Sequence, residues 1–319
     1  MMVVRFWGTR GSIPVAMTAA QVQRKLVVAL TLAAGRPLDT PQKIREFVER
    51  ELDFPVSHTF GGNSSCVQID GGGREYLLCD LGSGVRVFGN HVQAAHGPSG
   101  HTFHVLMSHP HWDHVMGFPF FMPAYTEGNR IRIYGCHPRL NEVFRRQNAA
   151  PFFPVEYTRM SATIEFVQLE PERDYEINGA RVRAKLQRHG GDSYGYRIEQ
   201  HGKVVVYSTD SEHKQDDPAE VMGFVEFFKT ADLVIFDSQY SLADAISIKE
   251  DWGHSSNVVG VELCQLARAK RLCLYHHEPI FDDERIAALL DETRRLEEIT
   301  RADHRVEVTA AWDGLEIAL

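Results

Sequence analysis

An apolar run over 103–107 stops directly at Ser108-His109-Pro110-His111-Trp112-Asp113-His114. Apolar runs of this length, bounded by turn signals, read as buried strands. Three imidazoles and a carboxylate hung on the end of such a strand restrict the fold strongly. They need a rigid sheet edge beneath them and further donors brought in from elsewhere in the chain. Side chains alternate along extended backbone, so His109 and His111 face one point, and the following turn carries Asp113 and His114 back towards it. Imidazole and carboxylate together suit zinc, and equally manganese or iron.

The same kind of residue recurs at other strand ends. Asp80 follows the strand 75–79 and opens Leu81-Gly82-Ser83-Gly84, His189 follows 181–188, Asp210 follows 203–207 and Ser208-Thr209, and His276 follows 271–275. Each alone is ordinary. As a series they place metal-type side chains at strand termini along most of the chain. Further strands are expected over 2–6, 66–70, 131–135, 164–169, 194–199, 233–236, 305–308 and 315–318. Helical periodicity covers 22–34, 41–52, 139–146, 218–229, 255–269 and 282–298. Strands come first in blocks and then alternate with helices, which describes a mixed α/β chain with two sheets and helices packed outside. The expectation is one domain over 1–319 with a helical insertion at about 15–58. The insertion's apolar positions Val22, Leu26, Val27, Leu30 and Phe47 need a partner, whether its own domain, the site or a second copy.

Charge limits the function. With 34 Lys+Arg against 43 Asp+Glu the net charge is −9, the wrong sign for a nucleic-acid coat or an anionic-membrane binder. Five cysteines without a C-x-x-C pair argue against a disulfide scaffold or a zinc ribbon, and read as small buried core residues. The start of the chain lacks the shape of a signal peptide, and no apolar run approaches the roughly 20 residues of a membrane span. A cytoplasmic location is expected, without membrane contact.

The strand-end series resembles the metallo-β-lactamase superfamily, an αββα four-layer sandwich with an H-x-H-x-D-H signature, over nearly the whole chain outside 15–58. The resemblance implies two divalent metal ions, zinc first, with manganese or iron as alternatives. It implies one ion on His109, His111 and His189, a second on Asp113, His114 and His276, Asp210 bridging them, and Asp80 orienting ligands from behind. His276 is preferred over the adjacent His277 because it follows the apolar strand directly; His277 is expected to point towards Glu278 or the substrate mouth.

Within that superfamily, Phe6-Trp7-Gly8-Thr9-Arg10-Gly11-Ser12, Gly61-Gly62-Asn63-Ser64-Ser65-Cys66 and Asp80-Leu81-Gly82-Ser83-Gly84 resemble the phosphodiesterase branch, which includes ribonuclease Z and cyclic-nucleotide phosphodiesterases. Trp252-Gly253-His254-Ser255-Ser256 is similar to the His-Ser-Thr element of that branch, with Ser256 in place of Thr. The resemblance implies that His254, placed at a helix start, protonates the leaving oxygen while a metal-bridged hydroxide attacks phosphorus, with Asp113 as ligand and general base. Asn63, Ser64 and Ser255 are candidate substrate contacts. Phe118, Phe120, Phe121, Tyr125, Phe152, Phe153 and Tyr157 either stack a base or belong to the core. The expected activity is hydrolysis of a small phosphodiester such as a cyclic nucleotide. The alternatives are a ribonuclease Z-like nuclease and a lactone or thioester hydrolase. Extended nucleic acid is not an expected partner, and a homodimer is.

Overall fold

The computed structural model describes residues 1–213, 217–240 and 253–319. Two seven-stranded sheets form the centre. The first has the order β14-β1-β2-β3-β4-β5-β6, where β1 is Val3–Gly8, β2 Cys66–Asp70, β3 Tyr76–Cys79, β4 Thr102–Leu106, β5 Arg130–Gly135, β6 Thr163–Gln168 and β14 Glu316–Ala318. The second has the order β13-β12-β11-β10-β9-β8-β7, where β7 is Asp174–Ile177, β8 Ala180–Gln187, β9 Ser193–Gln200, β10 Lys203–Ser208, β11 Leu233–Asp237, β12 Arg271–Tyr275 and β13 Glu307–Ala310.

The strand sequences explain the layering. In β12 the residues Cys273 and Tyr275 face the other sheet, where Phe6, Val67, Leu77 and Cys79 meet Tyr196, Val205, Tyr207 and Ile235. Leu272 and Leu274 alternate with them and face outward, under Phe224 and Phe228 of α7 (Pro218–Phe228), Val261 and Cys264 of α8 (Asn257–Leu266) and Ile286 of α9 (Asp283–Thr300). The first sheet is covered likewise. Leu78, Phe103, Val105 and Ile133 lie under Val85, Phe88 and Val92 of α4 (Gly84–His96) and Phe144 of α6 (Leu140–Gln147). Strands buried on both faces read as continuous apolar runs. This is the expected αββα sandwich.

Strand direction collects the chemistry. β3 and β4 run parallel, as do β10, β11 and β12. β8 is antiparallel to β9, which is antiparallel to β10, so β8 shares the direction of β10. The carboxyl ends of all six strands therefore reach one edge of the sandwich, where ligands gather in open α/β sheets. Asp80, Asp210 and His276, each just past a strand end, have positive φ of 61°, 41° and 59°. Such non-glycine conformations cost on the order of 1–3 kcal/mol each and persist where the surroundings fix them.

Three details differ from the sequence reading. α4 was unforeseen because Gly84 and Gly89 weaken the helical pattern; a side chain at Gly89 would stand 2.9 Å from Phe121, so the glycine permits close packing of α4 on that loop. β7 was also unforeseen, its alternation being short and polar. The strand expected at 305–308 lies two residues later. Residues 15–58 fold into α1 (Ala19–Ala33), α2 (Pro41–Arg50) and α3 (Phe54–Ser57), with Thr40 capping α2 through Lys43 N. All five cysteines are buried and free. No helix among the described residues is long and apolar enough to cross a membrane.

Candidate metal centre

Two groups of donor atoms converge at that edge. His109, His111 and His189 form one, and Asp113, His114, Asp210 and His276 the other, the ligand atoms within each group lying within 4.8 Å of one another. Asp210 joins the groups. Its Oδ2 lies 3.7 Å from both His109 Nε2 and His189 Nε2, and its Oδ1 lies 3.1 Å from both His114 Nε2 and His276 Nε2. The short helix α5 (Trp112–Val115) turns Asp113 and His114 inward while leaving His111 at the exposed mouth. Asp113 Oδ2 lies 3.1 Å from His114 Nε2 and from His276 Nε2.

The imidazoles are oriented from behind. Asp80 is fully buried and accepts from Ser108 N (2.8 Å), Ser108 Oγ (2.7 Å), Tyr207 OH (2.7 Å) and His114 Nδ1 (2.7 Å). With the proton on Nδ1, His114 turns a bare Nε2 towards the centre. His189 Nδ1 bonds to Gly253 O at 2.8 Å while its Nε2 meets His111 Nδ1 at 3.0 Å, and His276 Nδ1 bonds to Gln239 Oε1 at 3.2 Å while its Nε2 meets Asp113 Oδ2 at 3.1 Å. Ser12 N donates to Asp113 Oδ2 at 2.8 Å. Glycines complete the walls, since a Cβ at Gly11 would stand 2.5 Å from His276 Nδ1 and one at Gly253 would stand 2.5 Å from His189 Nδ1.

The donors fit a divalent pair. His109 Nε2 and His114 Nε2 are buried without a hydrogen-bond partner. For His114 the oxygens at 3.1 Å are near but off the line of a hydrogen bond, a geometry that suits atoms gathered around a common cation. Burial holds His109, His111 and His189 below the usual imidazole range, assisted by their neighbouring histidines, so they are neutral donors. Burial opposes charge on Asp113 and Asp210 as well, yet His114 and His276 keep both carboxyls well below their ordinary range. Burial opposes charge on His114, yet Asp113, Asp210 and Asp80 raise its pKa well above the usual imidazole range, so it holds a proton that a cation would displace. Imidazoles and ionised carboxylates together suit zinc, manganese or iron.

His254 stands beside the centre, and the helix expected to start next to it, over 255–269, begins two residues later. α8 begins at Asn257, capped by Ser256. What fixes His254 is Asp237, at the end of β11, whose Oδ2 takes its Nδ1 at 2.8 Å. The ring stacks on His276 at 5.3 Å and meets His189 edge-on at 5.1 Å. Burial lowers its pKa, but Asp237 prevails and raises it to about 9.

The other expected residues divide. His277 turns from the mouth and donates its Nε2–H to Ala311 O (2.8 Å), while the adjacent His276 lies in the donor group with Asp113, His114 and Asp210. Asn63, Ser64 and Ser255, the candidate substrate contacts, each have hydrogen-bond partners within the protein. Asn63 binds Asp313 and Ser83, Ser64 and Ser83 exchange hydrogen bonds, and Ser255 Oγ donates to Ser211 O. Phe118 and Phe121 are core, whereas Phe120 and Phe152 are exposed. Trp252 lies outside the described residues. Asp237 escaped the sequence reading although the signal was present: it is an acid at the very end of an apolar strand, as Asp80 is directly after one. Ser12 and Gln239 had no such signal, because a loop contact leaves no local pattern, and Tyr207 reads as one more apolar position of β10.

The fold and the two donor groups define a class. The family described as "Beta-lactamase superfamily domain" matches residues 77–277, from before Asp80 to beyond His276, and the chain belongs to it. Among curated relatives, a ribonuclease Z of Thermoplasma acidophilum is 23% identical over 235 residues, covering 60% of this chain and 73% of its own. Among solved structures, the metallo-β-lactamase fold protein YhfI of Bacillus subtilis superposes with TM-score 0.64 at 16% identity over 100% of both chains. The short form of human tRNase Z superposes with TM-score 0.59 at 20% identity over 99% of this chain and 98% of that one.

Proposed function

We propose that the protein is a dinuclear metal-dependent phosphodiesterase acting on small phosphodiesters, a cyclic nucleotide or similar. The observation that carries this reading is the adjacency of the Asp210-linked donor groups to the His254–Asp237 pair. His109, His111 and His189 would hold one ion and Asp113, His114 and His276 the other, with Asp210 shared. Bound divalent ions supply Lewis acidity and an acidic water at such a site. His254 does work the ligands cannot do. Asp237 keeps its proton on Nδ1 and aims Nε2–H at the centre, where a leaving alkoxide needs a proton. Asp113, tied to Ser12 N, holds charge close to the attacking side and serves as ligand and general base.

The net charge of −9, without a long basic arm in the sequence, favours small diesters over structured RNA. A ribonuclease Z-like activity is the second reading, supported by the name of the curated relative. The buried free thiols fit a reducing, cytoplasmic setting.

The test is hydrolysis of bis(p-nitrophenyl) phosphate, a 3′,5′-cyclic nucleotide panel and a precursor transfer RNA, with zinc or manganese, by the wild type and His254→Ala. The expected result is turnover of cyclic nucleotides that His254→Ala abolishes, with p-nitrophenyl release less affected because that leaving group needs no proton. RNA cleavage alone would favour the second reading. Rapid lactone or thioester cleavage without diester turnover would overturn both.

A further inference from the structure

Ser12, on the loop that follows β1, has φ +57°. This left-handed backbone favours glycine, and where another residue holds it the strain tends to mark a functional position. Two contacts pin the loop against the metal centre. Gly11 N donates to His277 O at 3.0 Å, and Ser12 N donates to Asp113 Oδ2 at 2.8 Å. The second contact sets the Ser12 side chain beside the group Asp113, His114, Asp210 and His276, yet Ser12 itself is exposed.

The direction of its hydrogen bonds follows from Gln239. The amide oxygen Oε1 lies 3.2 Å from His276 Nδ1, and Nε2 lies 3.3 Å from Ser12 Oγ and 3.4 Å from Glu278 Oε2. Turning the amide over would set its oxygen against the Glu278 carboxylate, so the orientation is fixed. An amide nitrogen has no lone pair to give, so Ser12 Oγ is the acceptor in that contact and keeps its own proton to donate. Among the described residues nothing accepts that proton, and the exposed hydroxyl offers it at the mouth of the centre. We propose that Ser12 binds the substrate, its Oγ–H donating to a phosphate oxygen held at the metal centre. That the anion is a phosphodiester rests on the function proposed above, whereas the free donor rests on hydrogen-bond direction alone. A donor already in place, clamped by Gln239 and Glu278, costs no reorganisation when negative charge arrives. Glycine would meet the backbone requirement without strain, so the side chain is what a serine adds at this position.

The test compares the wild type, Ser12→Ala and Ser12→Gly as zinc-loaded full chains freed of excess zinc. Calorimetric titration with inorganic phosphate measures anion affinity, and bis(p-nitrophenyl) phosphate gives KM and kcat. Both variants should bind phosphate about tenfold more weakly, the usual loss for one hydrogen bond to a charged group. KM should rise by a similar factor with kcat less affected, and zinc content should stay at the wild-type value. Ser12→Gly should resist urea at least as well as Ser12→Ala, because glycine relieves the left-handed strain. Unchanged phosphate affinity in both variants would overturn the proposal, as would a wild type that binds no phosphate. So would a loss of phosphate affinity that only follows a loss of zinc, which would make Ser12 a support for Asp113. Phosphate binding needs no turnover. A wild type that cleaves no diester, but whose phosphate affinity falls on substitution, would therefore overturn the phosphodiesterase reading and leave the Ser12 donor standing.

Discussion

Replacing Asp80 by Asn changes one atom of a fully buried side chain and separates the two donor groups. In the native protein Asp80 Oδ2 accepts from Ser108 Oγ, Tyr207 OH and His114 Nδ1, while Oδ1 accepts from Ser108 N. An asparagine keeps its carbonyl oxygen towards Ser108 N and turns an NH₂ towards the other three. The two hydroxyls can rotate to accept. His114 cannot do so with a proton on Nδ1; it must move that proton to Nε2, the atom that faces Asp113 and Asp210. A protonated Nε2 has no lone pair for a cation. The expected loss is 10–100-fold in affinity for one ion, the range for such supporting partners and about 1.4–2.8 kcal/mol. The group His109/His111/His189, whose supports are Ser108 and Gly253, should retain its ion. The metal-free protein should lose about 1–3 kcal/mol of stability from exchanging charge-assisted for neutral hydrogen bonds. Zinc titration against a competing chelator, followed by urea unfolding of the metal-free proteins, measures both terms. Two ions retained with wild-type affinity, or both weakened equally, would refute the tautomer argument.

Gly253→Ala is the complementary change: its φ is +82° and its Cβ would meet His189 Nδ1 at 2.5 Å, so chelator competition should show the ion on His109, His111 and His189 weakened first. Asp237→Asn should release the His254 tautomer and lower kcat by about 10²–10⁴-fold on cyclic nucleotides, with KM and metal content nearly unchanged; equal loss on p-nitrophenyl esters would assign Asp237 a purely structural role. His213 is packed edge-on to Phe224 and stacked on Phe236, and burial pushes its pKa down to about 3. The unfolded chain binds that proton near 6.5, so its contribution is complete above 6.5 and is lost as pH falls towards 3. Between about pH 7 and pH 5 the metal-free wild type should lose about 2 kcal/mol more than His213→Phe in urea melts, and identical pH profiles would exclude His213 as the source.

The sandwich was legible because both sheets are covered on both faces, so the strands stand out as apolar runs between turn residues. The donors were legible for a related reason: a polar residue that ends a buried strand interrupts an otherwise apolar pattern, as at His109, Asp210 and His276. Asp237 ends β11 in the same way and was open to the same inference. Other parts left no local trace. Asp313 holds Gly62 and Asn63 from 250 residues away, and Ser12 holds Asp113 from 101. Such contacts arise when distant loops meet at one sheet edge, which periodicity does not encode. The apolar positions of α1 were visible as a helical pattern, yet none of that helix's residues is buried, which periodicity alone does not show.

The two donor groups differ in their access to water. His109, Asp113, His114, Asp210 and His276 are buried and the His189 side chain is 4% exposed, whereas His111 is exposed. An ion held by His109, His111 and His189 would meet solvent through His111, whereas one held by Asp113, His114 and His276 would have no exposed ligand. The ions should consequently leave in sequence, the one at His111 exchanging quickly and the other slowly. Purified protein would then pass through a half-loaded form, in which one firmly kept ion marks the history of the preparation while the second follows the composition of the buffer.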